Sequence, residues 1–121
     1  MANKTELGTW GEAIAAEALR SRGFTVVEQN YRSRYGEIDI IAENREYLVF
    51  AEVKLRKSTY FGAAREFVDA RKQEKLRATA SMWLEEHETS LQPRFDVIEI
   101  YAPDGPETER PYVRQIEDAF I

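Results

Sequence analysis

The stretches Gly36-Glu37-Ile38-Asp39-Ile40-Ile41-Ala42 and Phe50-Ala51-Glu52-Val53-Lys54 decide how this chain is expected to fold. Both are rich in residues that favour β-strands, and they predict the arms of a hairpin over residues 37–42 and 47–54. The turn falls around Asn44, because asparagine accepts the left-handed backbone conformation that tight turns use. A β-hairpin therefore stands at the centre of the predicted fold.

Acidic residues interrupt both arms of this hairpin. Side chains alternate along a strand, so Glu52 and Lys54 share one face, about 7 Å apart. A loop of two or four residues brings Asp39 to that face, and with four residues Asp39 stands directly opposite Glu52; an odd loop without a bulge would separate them. Two such carboxylates can hold Mg²⁺ or Mn²⁺, beside a lysine that contacts the attacking water and a phosphate oxygen. Without a metal, one carboxylate is expected to hold its proton more tightly.

The same acids also have a purely structural interpretation. A charge inside an apolar strand needs a partner, and Lys54 and Arg56 could provide one through cross-strand ion pairs. Alternatively, this face of the hairpin is simply exposed to solvent. An Asp followed after 12 residues by Glu-x-Lys also occurs by chance in acidic chains that contain lysine. The residues alone leave the structural and the catalytic interpretations open.

Helices and further strands are predicted on both sides of the hairpin. Helical spacing of apolar residues predicts a first helix over residues 5–22, with Glu12 at the rim of the apolar stripe. The other expected elements are a strand over 24–29, a basic and aromatic loop over 30–36, a polar loop over 56–62, a short helical piece over 63–67, a helix over 69–88, a strand over 94–101 and an edge strand over 112–116. Trp10, Trp83 and Phe95 are expected in the core.

Composition narrows the chemistry that this chain can perform. Its 121 residues predict a single domain over 1–121. It has no cysteine, which excludes cysteine nucleophiles. Its single histidine, His87, is expected at the surface, so a histidine-centred triad or a metal site with several histidines is hard to build. Asp96 is expected to pair with Arg94. No apolar run is long enough for a membrane span and no leader is visible, so a cytoplasmic location is expected.

Charge is distributed unevenly along the chain. Residues 1–80 hold 14 Lys and Arg against 12 Asp and Glu, whereas residues 81–121 hold 3 against 10. Positive charge in the first turns of the second long helix opposes the helix dipole, and a phosphate partner would explain it, as would simple solvation of that helix. The predicted nucleic-acid contacts are Arg32, Arg34, Tyr35, Arg56, Lys57, Lys72 and Lys75.

Motifs along the whole chain carry a resemblance to a known family. They are Gly8-Thr9-Trp10-Gly11-Glu12, Gly23-Phe24, Asn30-Tyr31-Arg32, the two hairpin stretches, Phe61-Gly62, Val68 with Lys72, and Arg94-Phe95-Asp96-Val97. On these residues the chain resembles the YraN-like family of small bacterial proteins, in the restriction-endonuclease-like PD-(D/E)XK superfamily, and is similar to archaeal Holliday-junction resolvases. Asp39 follows Ile38 where the superfamily has proline.

The resemblance implies a fold, a site and an activity. The implied fold is α/β and restriction-endonuclease-like, a central mixed β-sheet flanked by helices. The implied site has Asp39, Glu52 and Lys54 as the nuclease triad, with Glu12 as an extra catalytic acid on a helix. The expected metal ligands are Asp39, Glu52 and Glu12. The function expected from residues and resemblance together is a nuclease dependent on Mg²⁺ or Mn²⁺ that cuts nucleic acid, with DNA favoured over RNA and branched DNA as a resolvase-like substrate.

Two alternative functions remain beside the nuclease, and one further expectation concerns the oligomeric state of a nuclease that cuts junctions. One is a catalytically silent nucleic-acid-binding or adaptor domain on the same fold. Another is a protein-interaction module that uses the acidic residues after position 80. A junction resolvase needs two active sites and is therefore a homodimer, whereas a strictly monomeric protein would favour single-strand, flap or end cleavage.

Overall fold

The computed structural model describes residues 4–57 and 69–120 of the 121-residue chain. This part of the chain forms two α-helices and five β-strands, with a short 3₁₀ turn at Gly105–Glu107. In chain order the elements are α1 (Lys4–Ser21), β1 (Thr25–Ser33), β2 (Gly36–Glu43), β3 (Tyr47–Arg56), α2 (Ala70–Glu86), β4 (Gln92–Tyr101) and β5 (Tyr112–Ile116). The predicted short helix over 63–67, and the predicted loop from residue 58 to residue 62, lie outside the described residues.

The five strands form one mixed sheet in the order β1-β2-β3-β4-β5. Strands β3 and β4 are parallel, and the other neighbouring pairs are antiparallel. Two parallel strands cannot be joined by a tight turn, and the connection between β3 and β4 contains α2. A mixed sheet with a helix on each face is the restriction-endonuclease-like fold, which confirms the predicted fold class.

The alternation of side chains along β3 divides the core into two layers. Val49 and Ala51 pack with Ala15 and Leu19 on the face that α1 covers. Leu48 and Phe50 point to the opposite face, where they pack with α2. Apolar residues on both faces are expected of a central strand, and β3 lies in the middle of the sheet. The rigid centre of the molecule is thus the strand that carries Glu52 and Lys54.

Strand β1 is longer than predicted, and the loop prediction over residues 30–36 was wrong for most of its length. The strand continues to Ser33, because Tyr31 pairs with Ile38 and Ser33 pairs with Gly36 on β2. Within this strand, the backbone of Asn30 has a left-handed conformation, with φ of 55°. Arg34 and Tyr35 alone form the turn to β2. Polar composition suggested a loop, whereas pairing to β2 keeps these residues in the sheet.

The other predicted elements agree with the structure within a few residues. The helix predicted over 5–22 is α1, and the helix predicted over 69–88 is α2, which Asp69 caps by accepting a hydrogen bond from the backbone N–H of Lys72 at 2.8 Å. The strand predicted over 94–101 begins two residues earlier, at Gln92, and the edge strand β5 is confirmed. Within residues 4–57 and 69–120, neither helix has the length and apolarity that crossing a membrane requires.

Core and pairing predictions on β4 and α2 are also confirmed. Trp83 is buried, and Phe95 packs against the same cluster as Trp83. Trp10 is partly buried and packs against the cluster beneath α1. Asp96 is fully buried and binds Arg94 through both carboxylate oxygens, at 2.9 Å each. Asp96 therefore has the structural role predicted for it.

Candidate active site

The register of the central hairpin places the two predicted acids next to the same end of the β2–β3 ladder. The β2–β3 ladder runs from Glu43 paired with Leu48 to Ile40 paired with Ala51, which leaves a four-residue loop. Asn44 shapes that loop, since its side-chain oxygen accepts backbone N–H bonds from the next turn residues at 2.7 and 2.9 Å. Asp39 and Glu52 directly follow Ile40 and Ala51, the last pair of this ladder. The four-residue loop is one of the loop lengths that were predicted to bring Asp39 to the face of Glu52.

Asp39 sits where the β2–β3 ladder ends. Its Oδ2 accepts a hydrogen bond of 2.8 Å from the backbone N–H of Val53. Burial, followed by the charge of Glu52, raises the pKa of Asp39 to about 7, while the bond from Val53 opposes the shift. This agrees with the expectation that one of the two carboxylates holds its proton more tightly than an ordinary aspartate.

Glu52 is the more deeply buried carboxylate, with about a tenth of its side chain exposed. Two lysines compensate its charge at the same oxygen, Oε1. The Nζ of Lys54, from the same strand, lies 3.8 Å away, and the Nζ of Lys72, from α2, lies 2.6 Å away. Burial lowers the pKa of Lys54, and the neighbouring charge of Lys72 lowers it further. Glu52 is therefore held between two cations.

Glu12 reaches the neighbourhood of this pair from α1. Burial raises the pKa of Glu12, a hydrogen bond with the Asn30 side chain opposes the shift, and the charges of Glu37 and Glu52 add to it. Glu12 in turn contributes to the raised pKa of Asp39. Among residues 4–57 and 69–120, however, no three Asp, Glu or His side chains are grouped closely enough to hold one ion. The structure brings Asp39, Glu52 and Lys54 together and leaves Glu12 at their margin.

A divalent cation fits the chemistry of the Asp39 and Glu52 pair. Both side chains offer hard oxygen donors from adjacent strands, and Mg²⁺ commonly takes one or two carboxylates and keeps several waters. Burial, followed by the charge of Glu52, raises the pKa of Asp39, so the ionised form of Asp39 is unfavourable here without additional positive charge. These two residues are the ones that would hold Mg²⁺ or Mn²⁺.

The structure supports only in part the interpretation that Lys54 and Arg56 are ion-pair partners of the hairpin acids. Lys54 does contact Glu52, but Arg56 places its Nε 3.2 Å from Glu99 on the neighbouring strand. Glu99 is buried and also accepts a hydrogen bond of 2.9 Å from the hydroxyl of Tyr101. Arg56, predicted as a nucleic-acid contact, has only about a tenth of its side chain exposed. Its geometry favours a role inside the sheet over one at the surface.

Several predicted nucleic-acid contacts lie along one edge of the molecule. The β1–β2 turn packs on α2, where a Cβ on Gly36 would lie 3.9 Å from the Cβ of Lys75. The hydroxyls of Ser33 and Thr79 join the same two elements at 2.9 Å. We call Arg32, Arg34, Tyr35, Lys72 and Lys75 the basic edge, because this packing sets the turn and its flanking strand beside the start of α2. Lys57 is exposed at the end of β3 and is not part of this edge.

Side chains on the basic edge are exposed and only weakly held. Arg32 has 78% of its side chain exposed and lies 3.2 Å from Glu37. Arg34 donates a hydrogen bond of 2.8 Å to the Tyr35 hydroxyl and lies over the Tyr35 ring. An exposed ion pair of this kind is worth about 0–1 kcal/mol, so these cations remain available for phosphate.

The mixed sheet with a helix on each face gives this protein a restriction-endonuclease-like fold. A family model described as "Uncharacterised protein family UPF0102" matches residues 11–100. The chain belongs to this family, which confirms the family-level resemblance seen in its motifs.

Relatives match this chain over most or all of its length. A UPF0102 protein of Rhodococcus opacus (strain B4) is 40% identical over 121 residues, which cover 99% of this chain and 100% of the relative. A UPF0102 protein of Geotalea daltonii is 44% identical over 119 residues, covering 98% and 91%. One from Vibrio parahaemolyticus is 41% identical over 101 residues, covering 82% and 84%. Both central acids lie within the matched family segment.

The raised pKa of Asp39 predicts how stability depends on pH without metal. From its ordinary value of 3.8 up to about 7, the folded protein keeps this proton while the unfolded chain has lost it. The Asp39 contribution to the free energy of unfolding is therefore full at low pH and is lost as pH rises through that window. An asparagine at this position would not titrate, so the stability of Asp39→Asn relative to the parent is expected to increase between about pH 4 and about pH 7.

Urea unfolding in the presence of a chelator measures this difference. The gap between Asp39→Asn and the parent should widen in favour of the variant as pH rises. Asp104→Asn, at an exposed aspartate in the β4–β5 connection, is the matched control and should show no such trend. A gap that stays constant with pH would show that Asp39 titrates as an ordinary aspartate.

Proposed function

We propose that this protein is a metal-dependent nuclease that hydrolyses phosphodiester bonds of nucleic acid. One observation carries the proposal: Asp39 and Glu52 follow directly on the last pair of the β2–β3 ladder, and the Nζ of Lys54, whose pKa is lowered, lies 3.8 Å from Glu52 Oε1. The family resemblance supports the same reaction, because Asp39, Glu52 and Lys54 match the nuclease triad of the superfamily. Mg²⁺ or Mn²⁺ is the proposed cofactor.

Each of these residues has a distinct role in the proposed reaction. Asp39 and Glu52 hold the cation, which when bound lowers the pKa of water and offsets charge on the phosphate. Lys54 orients the attacking water or, as the neutral amine, takes its proton; burial favours the neutral amine by lowering the pKa of the Lys54 ammonium. Glu12 assists from α1 by adding negative charge near the site. The rigid pairing of β3 between β2 and β4 keeps Glu52 and Lys54 in fixed positions.

DNA is the favoured substrate, with the basic edge as its main contact surface. The edge lies beside the start of α2, and Lys72 on that helix contacts Glu52, so a backbone that follows the edge passes next to the site. Tyr35 is about 40% exposed and offers a ring for stacking with a splayed base. Branched DNA suits this combination of backbone and base contacts. Cutting a four-way junction symmetrically would further require a homodimer.

Removing one cation from the basic edge should weaken binding in a salt-dependent way. Lys75→Gln is expected to lower DNA affinity and to reduce the slope of log affinity against log salt by about 0.9, the value for one phosphate contact. Arg45→Gln, in the exposed β2–β3 turn, is the matched control and should keep the parent slope. Fluorescence anisotropy over a salt series measures both. An unchanged slope for Lys75→Gln would remove Lys75 from the interface.

A catalytically silent nucleic-acid-binding or adaptor domain is the second candidate function. Its supporting observation is that Lys72 and Lys54 already neutralise Glu52, while no three acidic or histidine side chains of the described residues are grouped for an ion. Such a domain would use the basic edge for binding without cutting.

A panel of labelled substrates separates the two candidates. Single-stranded, duplex, flap and four-way junction DNA, and RNA, are each incubated with the protein and Mg²⁺ or Mn²⁺, with and without a chelator. A nuclease is expected to cut at least one substrate with metal and none with chelator. Binding across the panel without any cutting would contradict the nuclease and support the adaptor.

A further inference from the structure

Lys72 makes the shortest ion pair at the candidate site. Its Nζ lies 2.6 Å from Glu52 Oε1, and it reaches this buried oxygen from the first turn of α2. Lys54, which belongs to the predicted triad, is farther from the same oxygen at 3.8 Å. The resemblance assigns no role to Lys72, and its position on the far side of the β3–α2 connection gave no sign of this contact.

The start of a helix is an unfavourable place for this ammonium group. The helix dipole is positive at its N-terminus, and the first turn of α2 has no acidic residue. Asp69 offsets part of this cost as the N-cap, where it binds the backbone of Lys72. The side-chain charge of Lys72 is balanced across the site, by Glu52. Lys72 and Glu52 are thus coupled although they lie on different elements.

We propose that Lys72 is a positioning residue that occupies the cation position beside Glu52 in the metal-free protein and moves to the substrate phosphate when a divalent cation takes that position. This inference rests on the proposed function, because it assumes a cation site at Asp39 and Glu52. It adds a competition between Lys72 and the divalent cation for the carboxylate of Glu52, which the triad alone does not include.

Burial and charge support an exchange of this kind. Glu52 is about nine-tenths buried and fixed in a central strand, whereas Lys72 has 45% of its side chain exposed. Lysine carries its charge on a flexible four-carbon stem, so the ammonium can leave the carboxylate while α2 stays in place. An ammonium and a divalent cation on the same carboxylate oxygen would repel each other at close range. The half-exposed lysine is the partner that moves.

The displaced ammonium has a destination beside the site. Lys72 belongs to the basic edge, one turn before Lys75 on α2, so a released side chain faces the path proposed for the DNA backbone. Bound metal would then raise affinity for DNA by freeing a phosphate contact, and bound DNA would raise affinity for metal by the same factor. Lys72 thereby couples the two binding events.

Metal titration without nucleic acid tests the competition directly. Mn²⁺ is titrated by calorimetry into the full chain and into Lys72→Met, which keeps the apolar stem and removes the charge. Lys72→Met is expected to bind Mn²⁺ about tenfold more tightly, within the range of ordinary coupling energies. Arg71→Met removes an exposed charge from the same turn of α2 and should stay within about twofold of the parent. Equal or weaker binding by Lys72→Met would overturn the proposal.

A second measurement examines the coupling with DNA. Saturating Mn²⁺ should increase the affinity of the parent for uncleaved DNA, held intact by a phosphorothioate at each linkage, and this increase should shrink in Lys72→Met. An undiminished increase would contradict the proposed movement. Lys72→Gln serves in place of Lys72→Met if thermal unfolding shows that the methionine variant does not fold.

The outcomes separate this inference from the nuclease itself. Tighter Mn²⁺ binding by Lys72→Met, with no cleavage by the parent, would support the competition and contradict the nuclease. Metal-dependent cleavage by the parent, with equal Mn²⁺ affinities of the parent and Lys72→Met, would support the nuclease and contradict the competition. Absence of Mn²⁺ binding in both proteins would contradict both.

Discussion

Glu52→Gln is expected to reduce the rate of phosphodiester cleavage by at least about 1000-fold, comparable to the loss of a central electrostatic group in other hydrolases. The substitution keeps the size of the side chain but removes the charge that would bind the cation opposite Asp39. It also leaves Lys54 and Lys72 without their shared carboxylate partner. The substrate that the parent cuts best, under single-turnover conditions with Mn²⁺, gives the rates to compare.

Glu46→Gln is the matched control for this variant. Glu46 is exposed in the β2–β3 turn, at the opposite end of β3 from Lys54, so the same chemical change there should leave the rate at the parent value. Far-UV circular dichroism and thermal unfolding establish that both variants are folded. Cleavage by Glu52→Gln within about tenfold of the parent would exclude Glu52 as an essential metal ligand.

Asp96→Ala is expected to lower the free energy of unfolding by about 3–5 kcal/mol, the cost of leaving one member of a buried ion pair alone. Asp96 is fully buried and accepts four hydrogen bonds. Two come from Arg94, one from the Gln115 side chain at 2.8 Å and one from the backbone N–H of Asp118 at 3.0 Å. Truncation would leave Arg94, whose side chain is only 10% exposed, with the exposed Glu117 at 3.7 Å as its ion-pair partner. It would also remove the bonds that Gln115 and Asp118 donate to β4.

Urea denaturation measures this loss, with Asp104→Ala as the control. Asp104 is exposed before the 3₁₀ turn and makes no side-chain capping bond there, so its replacement should change the free energy of unfolding by less than about 0.5 kcal/mol. Asp96 pairs with Ala51 on β3, and because side chains alternate along a strand it lies on the opposite face of the sheet from Glu52. Asp96→Ala should therefore lose stability without altering Mn²⁺ affinity in the protein that remains folded. A loss below about 1 kcal/mol would show that Arg94 finds another partner.

The central hairpin could be predicted because its signals are local. Alternation along the arms set which side chains share a face, and Asn44 marked the turn. The four-residue loop was one of several lengths left open, since the residues alone do not determine how many positions stay unpaired. The structure selects it through the pairing of Glu43 with Leu48.

Contacts between distant elements could not be predicted in the same way. Lys72 reaches Glu52 because α2 docks on the sheet, and Arg56 turns to Glu99 because β4 lies parallel to β3. The predicted end of strand β1, at residue 29, was too early for a related reason. Its polar residues 30–33 have weak strand propensity, and pairing to β2 overrides that propensity.

Metal dependence of cleavage, measured on one purified preparation, tests the central claim most directly. The best substrate of the panel is incubated with the parent and Mn²⁺, then with an excess of chelator, then with Mn²⁺ restored, and Glu52→Gln is purified and assayed in parallel. The parent is expected to cut the substrate with Mn²⁺, to stop in chelator and to cut again when Mn²⁺ is restored. Glu52→Gln is expected to stay inactive under all three conditions. Cutting that persists in chelator, or that Glu52→Gln performs as fast as the parent, would contradict the central claim.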